Sequence, residues 1–176
     1  MVEASRDKTG DARYGFKSFH GVYLELAKME LLKNEETVLA IDYKNMDRGL
    51  DHITNRQDCA DFIIPAYVRI LMEHRNMRYM DPEYCKRIEN VLLGFRYWLD
   101  EPGETTGCYF TENHQILFHS AEYLVGKIFP DRIFINNGQT GAWHKEHAVG
   151  KIRQWLSWRI RFGFSEWLSQ GYSVSY

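Results

Sequence analysis

One stretch decides how the second half of this chain folds: Thr111-Glu112-Asn113-His114-Gln115-Ile116-Leu117-Phe118-His119-Ser120-Ala121-Glu122-Tyr123-Leu124. Its spacing is helical, and on a helical wheel the apolar residues fall on two sides, with Phe118 on one and Ile116 on the other. A helix that is apolar on both sides is surrounded by protein. Two histidines, two glutamates and two amides on such a helix need buried partners, so the stretch is a candidate site.

The same periodicity extends over most of the chain and predicts further helices. We expect helices over residues 14–33, 35–50, from 57 or 58 onward, 82 to about 101, 112–129 and from 140 or 141 to about 161. Asn34 is expected to begin the second helix, Pro65 to kink the third, and Gly163 to end the last. The run 132–135 is the only strand candidate, and turn residues follow it. The sequence predicts an all-α fold of antiparallel helical hairpins.

Composition and length limit the class of protein. The chain has 176 residues, which suits a single all-helical domain over residues 13–176 after a polar extension at residues 1–12. Its net charge of -2 gives no general field that attracts nucleic acid, so no nucleic-acid partner is expected. No apolar run is long enough to cross a membrane, and the N-terminus lacks the apolar core of a secretory signal, so a soluble protein is expected.

The cysteines and histidines are the candidate metal ligands of the chain. The three cysteines are widely spaced and form no CxxC pair, which argues against a zinc–thiolate site. His144 and His147 are three residues apart at the start of a helix, and with His114 and His119 they make one hypothesis, a metal-dependent helical protein. The HExxH spacing is absent, so we assign no metal ligands and expect no cofactor.

Aromatic and basic residues alternate near the C-terminus. Trp155, Trp158, Phe162 and Trp167 are interleaved with Arg153, Arg159 and Arg161. Indole rings can stack on sugar faces, and guanidinium groups pair with carboxylate or sulfate, so the segment suits an acidic saccharide. The alternative is an amphipathic helix whose arginines cover apolar surface.

Two segments together resemble the cleft-lining parts of (α/α) toroid carbohydrate-active proteins, namely polysaccharide lyases of the alginate lyase and heparinase-like kind. They are Tyr109-Phe110-Thr111-Glu112-Asn113-His114-Gln115 and Gly163-Phe164-Ser165-Glu166-Trp167-Leu168-Ser169, followed by Tyr172. The resemblance implies β-elimination of an acidic polysaccharide. It implies that Asn113 and His114 neutralise the uronate carboxylate, that Arg159 or Arg161 assists, and that Tyr172 is base and acid. Trp167, His119 and Gln115 are further candidates for contact with the saccharide.

Other functions fit the same residues. A hydrolase would use Glu112 or Glu122 together with Glu166, and the separation of the carboxylates would set its stereochemistry. A non-catalytic module would bind a glycan or a partner protein through the Trp and Arg residues. The chain has room for about six or seven helices, fewer than a full toroid. We therefore expect a part of a longer protein, a homo-oligomer that closes the cleft, or a small helical domain without the activity.

Overall fold

The computed structural model describes residues 17–33 and 39–169, and within them it has six α-helices. These are α1 Lys17–Leu32, α2 Tyr43–Thr54, α3 Ile64–Glu73, α4 Pro82–Gly94, α5 Glu112–Ile128 and α6 Gly141–Phe162. A short 3₁₀ turn, Ala60–Phe62, precedes α3. The described residues contain no β-strand, so the all-α prediction is confirmed for them. None of the described helices is both long enough and apolar enough to span a membrane.

The helix that was expected over residues 35–50 begins later. Residues 39–42 are not helical, and α2 begins after Asp42, whose Oδ1 accepts a hydrogen bond from the Lys44 amide at 3.0 Å. An aspartate in this position satisfies an amide that the first turn leaves without a helical partner, so it fixes the start of the helix. Asn34, the expected start, lies outside the described residues.

Two further expectations about helices were wrong. Pro65 does not kink α3, because it lies in the first turn, where a missing N–H costs nothing. The fourth helix ends at Gly94 and not near Glu101. The Glu101 carboxylate accepts the amides of Tyr97 and Trp98 at 3.0 and 3.2 Å, and these bonds replace the helical ones. Glu101 therefore turns the chain out of the helix.

The strand candidate at residues 132–135 forms only an isolated antiparallel bridge between Ile133 and Thr140. The Phe134 amide donates to the Gln139 carbonyl at 2.8 Å, which closes a tight loop. Gly138 has a φ of 74°, a left-handed conformation that glycine adopts without strain. The loop carries the chain from the end of α5 to Thr140, whose hydroxyl caps α6 by accepting from the Trp143 amide.

The chain divides into two compact units, Met1–Leu92 and Leu93–Tyr176. In the first, the backbones of α1 and α2 approach closely, since a Cβ on Gly21 would lie 2.5 Å from the Asn45 carbonyl oxygen. Glu25 is fully buried beside this contact and accepts from the Asp42 amide, the Asn45 side chain and Lys28. Residues 1–12 lie outside the described residues, and the single-domain assignment for residues 13–176 stays a prediction.

The second unit is built on an antiparallel hairpin of α5 and α6. A Cβ on Gly126, near the end of α5, would lie 2.5 Å from the Gly141 carbonyl oxygen and 2.8 Å from the Lys145 amide nitrogen. At the other end of the hairpin, the Trp155 indole donates to the Glu112 carbonyl at 3.2 Å. The apolar side chains buried in this unit include Phe95, Tyr97, Tyr109, Phe118, Val125, Phe134 and Ala148.

We expect Gly126→Ala to lower the free energy of unfolding of the full chain by about 1–3 kcal/mol, because its methyl group would push against the backbone of α6. Gly150→Ala is the matched control, since Gly150 is also helical and a Cβ there meets nothing within 4 Å. That control should be neutral or stabilising by roughly 0.5–1 kcal/mol. Urea unfolding followed by circular dichroism measures both. Equal stability of the two variants would show that the close approach of α5 and α6 is absent.

Candidate functional site

Two carboxylates join the start of α5 to the segment after α6. The Glu112 carboxylate accepts the Ser165 amide and hydroxyl, each at 3.0 Å, and the Glu166 amide at 3.0 Å. In return, the Glu166 carboxylate accepts the Asn113 amide at 3.0 Å. We call Glu112 and Glu166 the carboxylate clasp. The clasp joins the two segments that carry the predicted site residues, the start of α5 and the residues after α6. Their proximity could not be predicted from the sequence.

The clasp also explains the first turn of α5. Amides at a helix start lack helical partners, and the positive end of the helix dipole favours carboxylates. The Asn113 side-chain oxygen accepts from the His114 amide at 2.7 Å and from the Thr111 hydroxyl at 2.6 Å, so it satisfies one amide of the first turn. His114 is buried and its ring is stacked with Phe118. These contacts stabilise the start of the helix. Tyr172, the predicted base and acid, lies outside the described residues.

An open cleft of about 410 Å³ lies between α5 and α6. Gln115 and His119 face it from α5, one turn apart, and Trp98 faces it from the loop before α5. The lining from α6 consists of Lys151, Gln154, Trp155, Trp158 and Arg159. Among the described residues that line the cleft there are three indoles, two cations and no carboxylate. We call it the tryptophan cleft.

Both cations of the cleft are held by carboxylates and by aromatic rings. Lys151 Nζ is 2.8 Å from Asp100 Oδ2 and 5.8 Å from the centre of the Trp98 ring. Arg159 forms an ion pair with Glu112 through Nη1, and its guanidinium lies 5.7 Å from the centre of the Trp155 ring. A lysine has three donors and an arginine five, so each cation has donors beyond those its carboxylate uses. The cleft can therefore bind an anion without giving up these pairs.

His119 is a buried histidine in the wall of the cleft. Only 4% of it is exposed, and its Nδ1 has no hydrogen-bond partner. Its ring lies 4.2 Å from the Trp98 ring, centre to centre. Burial, reinforced by the charges of Lys151 and His147, lowers the pKa of His119 to about 4. The imidazole is therefore neutral at pH 7.

The residues predicted to contact a substrate fall into two groups. Gln115, His119 and Arg159 line the tryptophan cleft. Arg161 and Trp167 do not line it. The Arg161 guanidinium lies 5.0 Å from the centre of the exposed Phe162 ring. The Trp167 ring stacks on Phe164, with the ring centres 4.9 Å apart, and its centre lies 5.6 Å from that of the Trp155 ring.

Three residues that line the cleft were not predicted from the sequence, namely Trp98, Lys151 and Gln154. Lys151 could have been found, because it lies four, seven and eight residues before Trp155, Trp158 and Arg159, and this spacing places all four on one face of a helix. Trp98 gives no such signal, since it lies in an irregular loop whose path depends on Glu101.

His144 and His147, the histidine pair of the metal hypothesis, share one carboxylate. Their Nδ1 atoms lie 2.7 and 2.8 Å from the same Oε1 atom of Glu122. Glu122 and His144 are fully buried, and His147 is half-buried. His119 belongs instead to the tryptophan cleft, so the four histidines of the hypothesis do not form one cluster.

No protein-family model, no curated protein and no solved structure matches this chain. Its function is therefore inferred from the geometry and charge of the residues described above.

We expect Glu112→Gln to loosen the carboxylate clasp. The amide keeps an acceptor oxygen but loses the charge that pairs with the largely buried Arg159, so the free energy of unfolding should fall by about 1–3 kcal/mol. Amide hydrogen exchange at Ser165 and Glu166 should rise. Glu146→Gln is the control, because among the residues that the structure describes that exposed carboxylate pairs only with its neighbour Lys145. Unchanged exchange at Ser165 would show that the clasp is not formed.

We expect His119 to make the protein sensitive to acid. Its pKa is about 4 in the folded chain and near the ordinary histidine value of 6.5 in the unfolded chain. Between these values the unfolded state binds more protons, so stability is lost as pH falls from about 6.5 towards 4. His119→Gln does not titrate, and by pH 4 the wild type should lose at most ~3 kcal/mol more than this variant. Urea unfolding at several pH values tests this, and parallel curves would show that the ring is not desolvated.

Proposed function

We propose that the tryptophan cleft binds a saccharide that carries carboxylate or sulfate groups. The observation that supports this most directly is the lining itself, three indoles and two cations without a carboxylate. Indoles offer large flat apolar surfaces, and ligand sites combine such surfaces with a few well-placed polar groups. Lysine and arginine pair strongly with carboxylate and sulfate. Gln115 and Gln154 add amide groups that can bond hydroxyls.

The charge of the chain favours a saccharide over a single-stranded nucleic acid. Aromatic and basic side chains also line sites for single strands. Such sites follow the backbone along a positive groove, whereas this chain has a net charge of -2 and both cleft cations are paired with carboxylates. A short ligand with one or a few anionic groups fits this balance better than a polyanion that needs a long basic surface.

Catalysis by β-elimination is a second candidate, and His119 is the observation that favours it. The reaction needs a base to remove the proton beside a uronate carboxylate, and positive charge to stabilise the enolate before the glycosidic oxygen leaves. A neutral imidazole has one ring nitrogen that can accept a proton, and Lys151 and Arg159 are cations of the same cleft. The carboxylate of a bound uronate would raise the low pKa of His119 towards a useful value.

This version of the reaction differs from the one that the resemblance implies. Asn113 and Glu166 already bond the start of α5, which supports Lys151 and Arg159 as the groups that neutralise the substrate. Hydrolysis by paired carboxylates receives less support, because Glu112 bonds two backbone amides and Glu122 contacts two imidazoles. The (α/α) toroid remains our proposal for the architecture, with α5 and α6 as the hairpin that faces the cleft.

Binding to the full chain tests the proposal. Heparin, hyaluronan, chondroitin, alginate and polygalacturonate oligosaccharides are titrated while tryptophan fluorescence is followed, with neutral dextran as the negative probe. We expect at least one acidic oligosaccharide to bind, and Trp158→Ala and Lys151→Gln each to weaken it about tenfold, a loss of ~1.4 kcal/mol. Arg153→Gln is the matched control, because Arg153 is an exposed cation of the same helix that does not line the cleft.

The outcomes separate the candidates. Equal weakening by Arg153→Gln and Lys151→Gln, or no binding of any acidic probe, would contradict the cleft as the site. If the ultraviolet absorbance of an unsaturated product also rises in these mixtures and the rise is lost in His119→Gln while binding remains, the cleft performs β-elimination. Binding without that absorbance would identify a glycan-binding module.

A further inference from the structure

Two clusters among the described residues bring two glutamates and a histidine together, with possible metal-ligand atoms within 4.8 Å of one another. The first, Glu30, Glu73 and His74, already has cations. Lys33 Nζ lies 2.8 and 2.9 Å from the two carboxylates, and Arg69 contacts each of them at 3.0 Å. Its charge is balanced, and it has no need of a metal ion.

The second cluster, Glu101, Glu122 and His144, is different. All three residues are buried, with exposures of 5, 0 and 0%. Within the described part of the chain no lysine or arginine pairs with any of them. Glu122 Oε2 is buried and has no hydrogen-bond partner. A buried carboxylate oxygen without a partner is costly, so this atom indicates that a ligand belongs in the cluster.

The hydrogen bonds of His144 fix which ring nitrogen faces the cluster. Asn137 Oδ1 accepts the Gln139 amide at 3.1 Å, so this atom is an acceptor. It also lies 3.0 Å from His144 Nε2, which must therefore carry a hydrogen and donate to it. In a neutral imidazole the other nitrogen, Nδ1, then has a lone pair. Nδ1 lies 2.7 Å from Glu122 Oε1, so a lone pair faces a carboxylate unless a cation or a proton lies between them.

His147 repeats this arrangement at the edge of the cluster. Its Nε2 lies 3.1 Å from Asp100 Oδ2 and its Nδ1 2.8 Å from Glu122 Oε1, so both ring nitrogens contact carboxylate oxygens. Its imidazolium form can supply one positive charge to Glu122. When His144 is neutral, that charge leaves Glu101 and its near neighbour Glu122 with one cation between two buried carboxylates.

We propose that Glu101, Glu122 and His144 bind one divalent transition-metal ion, with His144 ligating through Nδ1. Carboxylate oxygens together with one imidazole suit Zn²⁺ or Mn²⁺. Metal-bound histidines commonly donate their other ring N–H to a nearby acceptor. Asn137 is that acceptor for His144, and it fixes the tautomer and the orientation of the His144 ring. Glu101 is itself held by the Tyr97 and Trp98 amides and by the Asn136 side chain, which orients its carboxylate.

The metal should couple to the stability of the second unit, because its ligands come from three separate segments. Glu122 is on α5, His144 is on α6, and Glu101 is in the loop that follows α4. An ion that binds all three stabilises only the folded state. This inference does not depend on what the tryptophan cleft binds.

Metal binding to the full chain tests the site directly. The chain is stripped with EDTA, dialysed and titrated with Zn²⁺ and, separately, with Mn²⁺ by calorimetry, and the melting temperature is measured with each. We expect one equivalent of Zn²⁺ or of Mn²⁺ to bind and to raise the melting temperature. Glu122→Gln should abolish that binding. Glu73→Gln, which changes the cluster already filled by Lys33 and Arg69, should leave it unchanged.

Asn137→Ser keeps the test decisive if Glu122→Gln does not fold. It removes the acceptor on His144 Nε2 without removing a ligand, and we expect it to weaken binding by about 10–100-fold. Three results would overturn the proposal. They are no saturable binding of Zn²⁺ or Mn²⁺ to the wild type, unchanged binding in a folded Glu122→Gln variant, and equal effects of Asn137→Ser and Glu73→Gln.

Discussion

The close antiparallel packing of α5 on α6 is the constraint on which the second unit depends. Gly126 and Gly141 let the two backbones meet where the chain turns back, because a Cβ at Gly126 would lie within 2.8 Å of two backbone atoms. At the opposite end the carboxylate clasp joins Glu112 to the segment after α6. The tryptophan cleft and the Glu122–His144 contact both lie along this hairpin. The lining of the cleft and the Glu122–His144 contact would both be disrupted if the two helices moved apart.

The charged side chains around the cleft of this unit form ion pairs. The cations Lys151 and Arg159 face the cleft, and the carboxylates of Asp100 and Glu112 hold them there. Pairs of this kind orient the cations but leave donors for a ligand, since neither carboxylate uses all the donors of its partner. His119 is in the same wall without a charge, because burial favours its neutral form. The cleft thus combines fixed positive charge with a neutral imidazole.

Local signals in the sequence were strong at the starts of the fourth, fifth and sixth helices. Pro82 begins α4, and Glu112–Ile128 and Gly141–Phe162 match the predicted fifth and sixth helices to within a residue. The start of the second helix was misplaced because it depends on Asp42, whose side chain accepts the Lys44 amide. Nothing in the sequence distinguished Asp42 from the other polar residues near it. Gln115, His119 and Arg159 were singled out from their residue types and do line the cleft. Trp98 and Glu101 were missed because an irregular loop has no periodicity to read.

By itself, the sequence determined that this chain is helical, where its last two helices lie, and that polar groups on the fifth must find buried partners. Those properties follow from side-chain spacing and from the cost of desolvation, which act locally. Only the tertiary structure decided which partners they found. The Glu112 carboxylate accepts the Ser165 and Glu166 amides, and the Glu122 carboxylate contacts two histidines. His119 lies in the wall of the cleft. These contacts join residues that are far apart in the chain. Local sequence patterns do not predict which distant group pairs with a buried polar side chain.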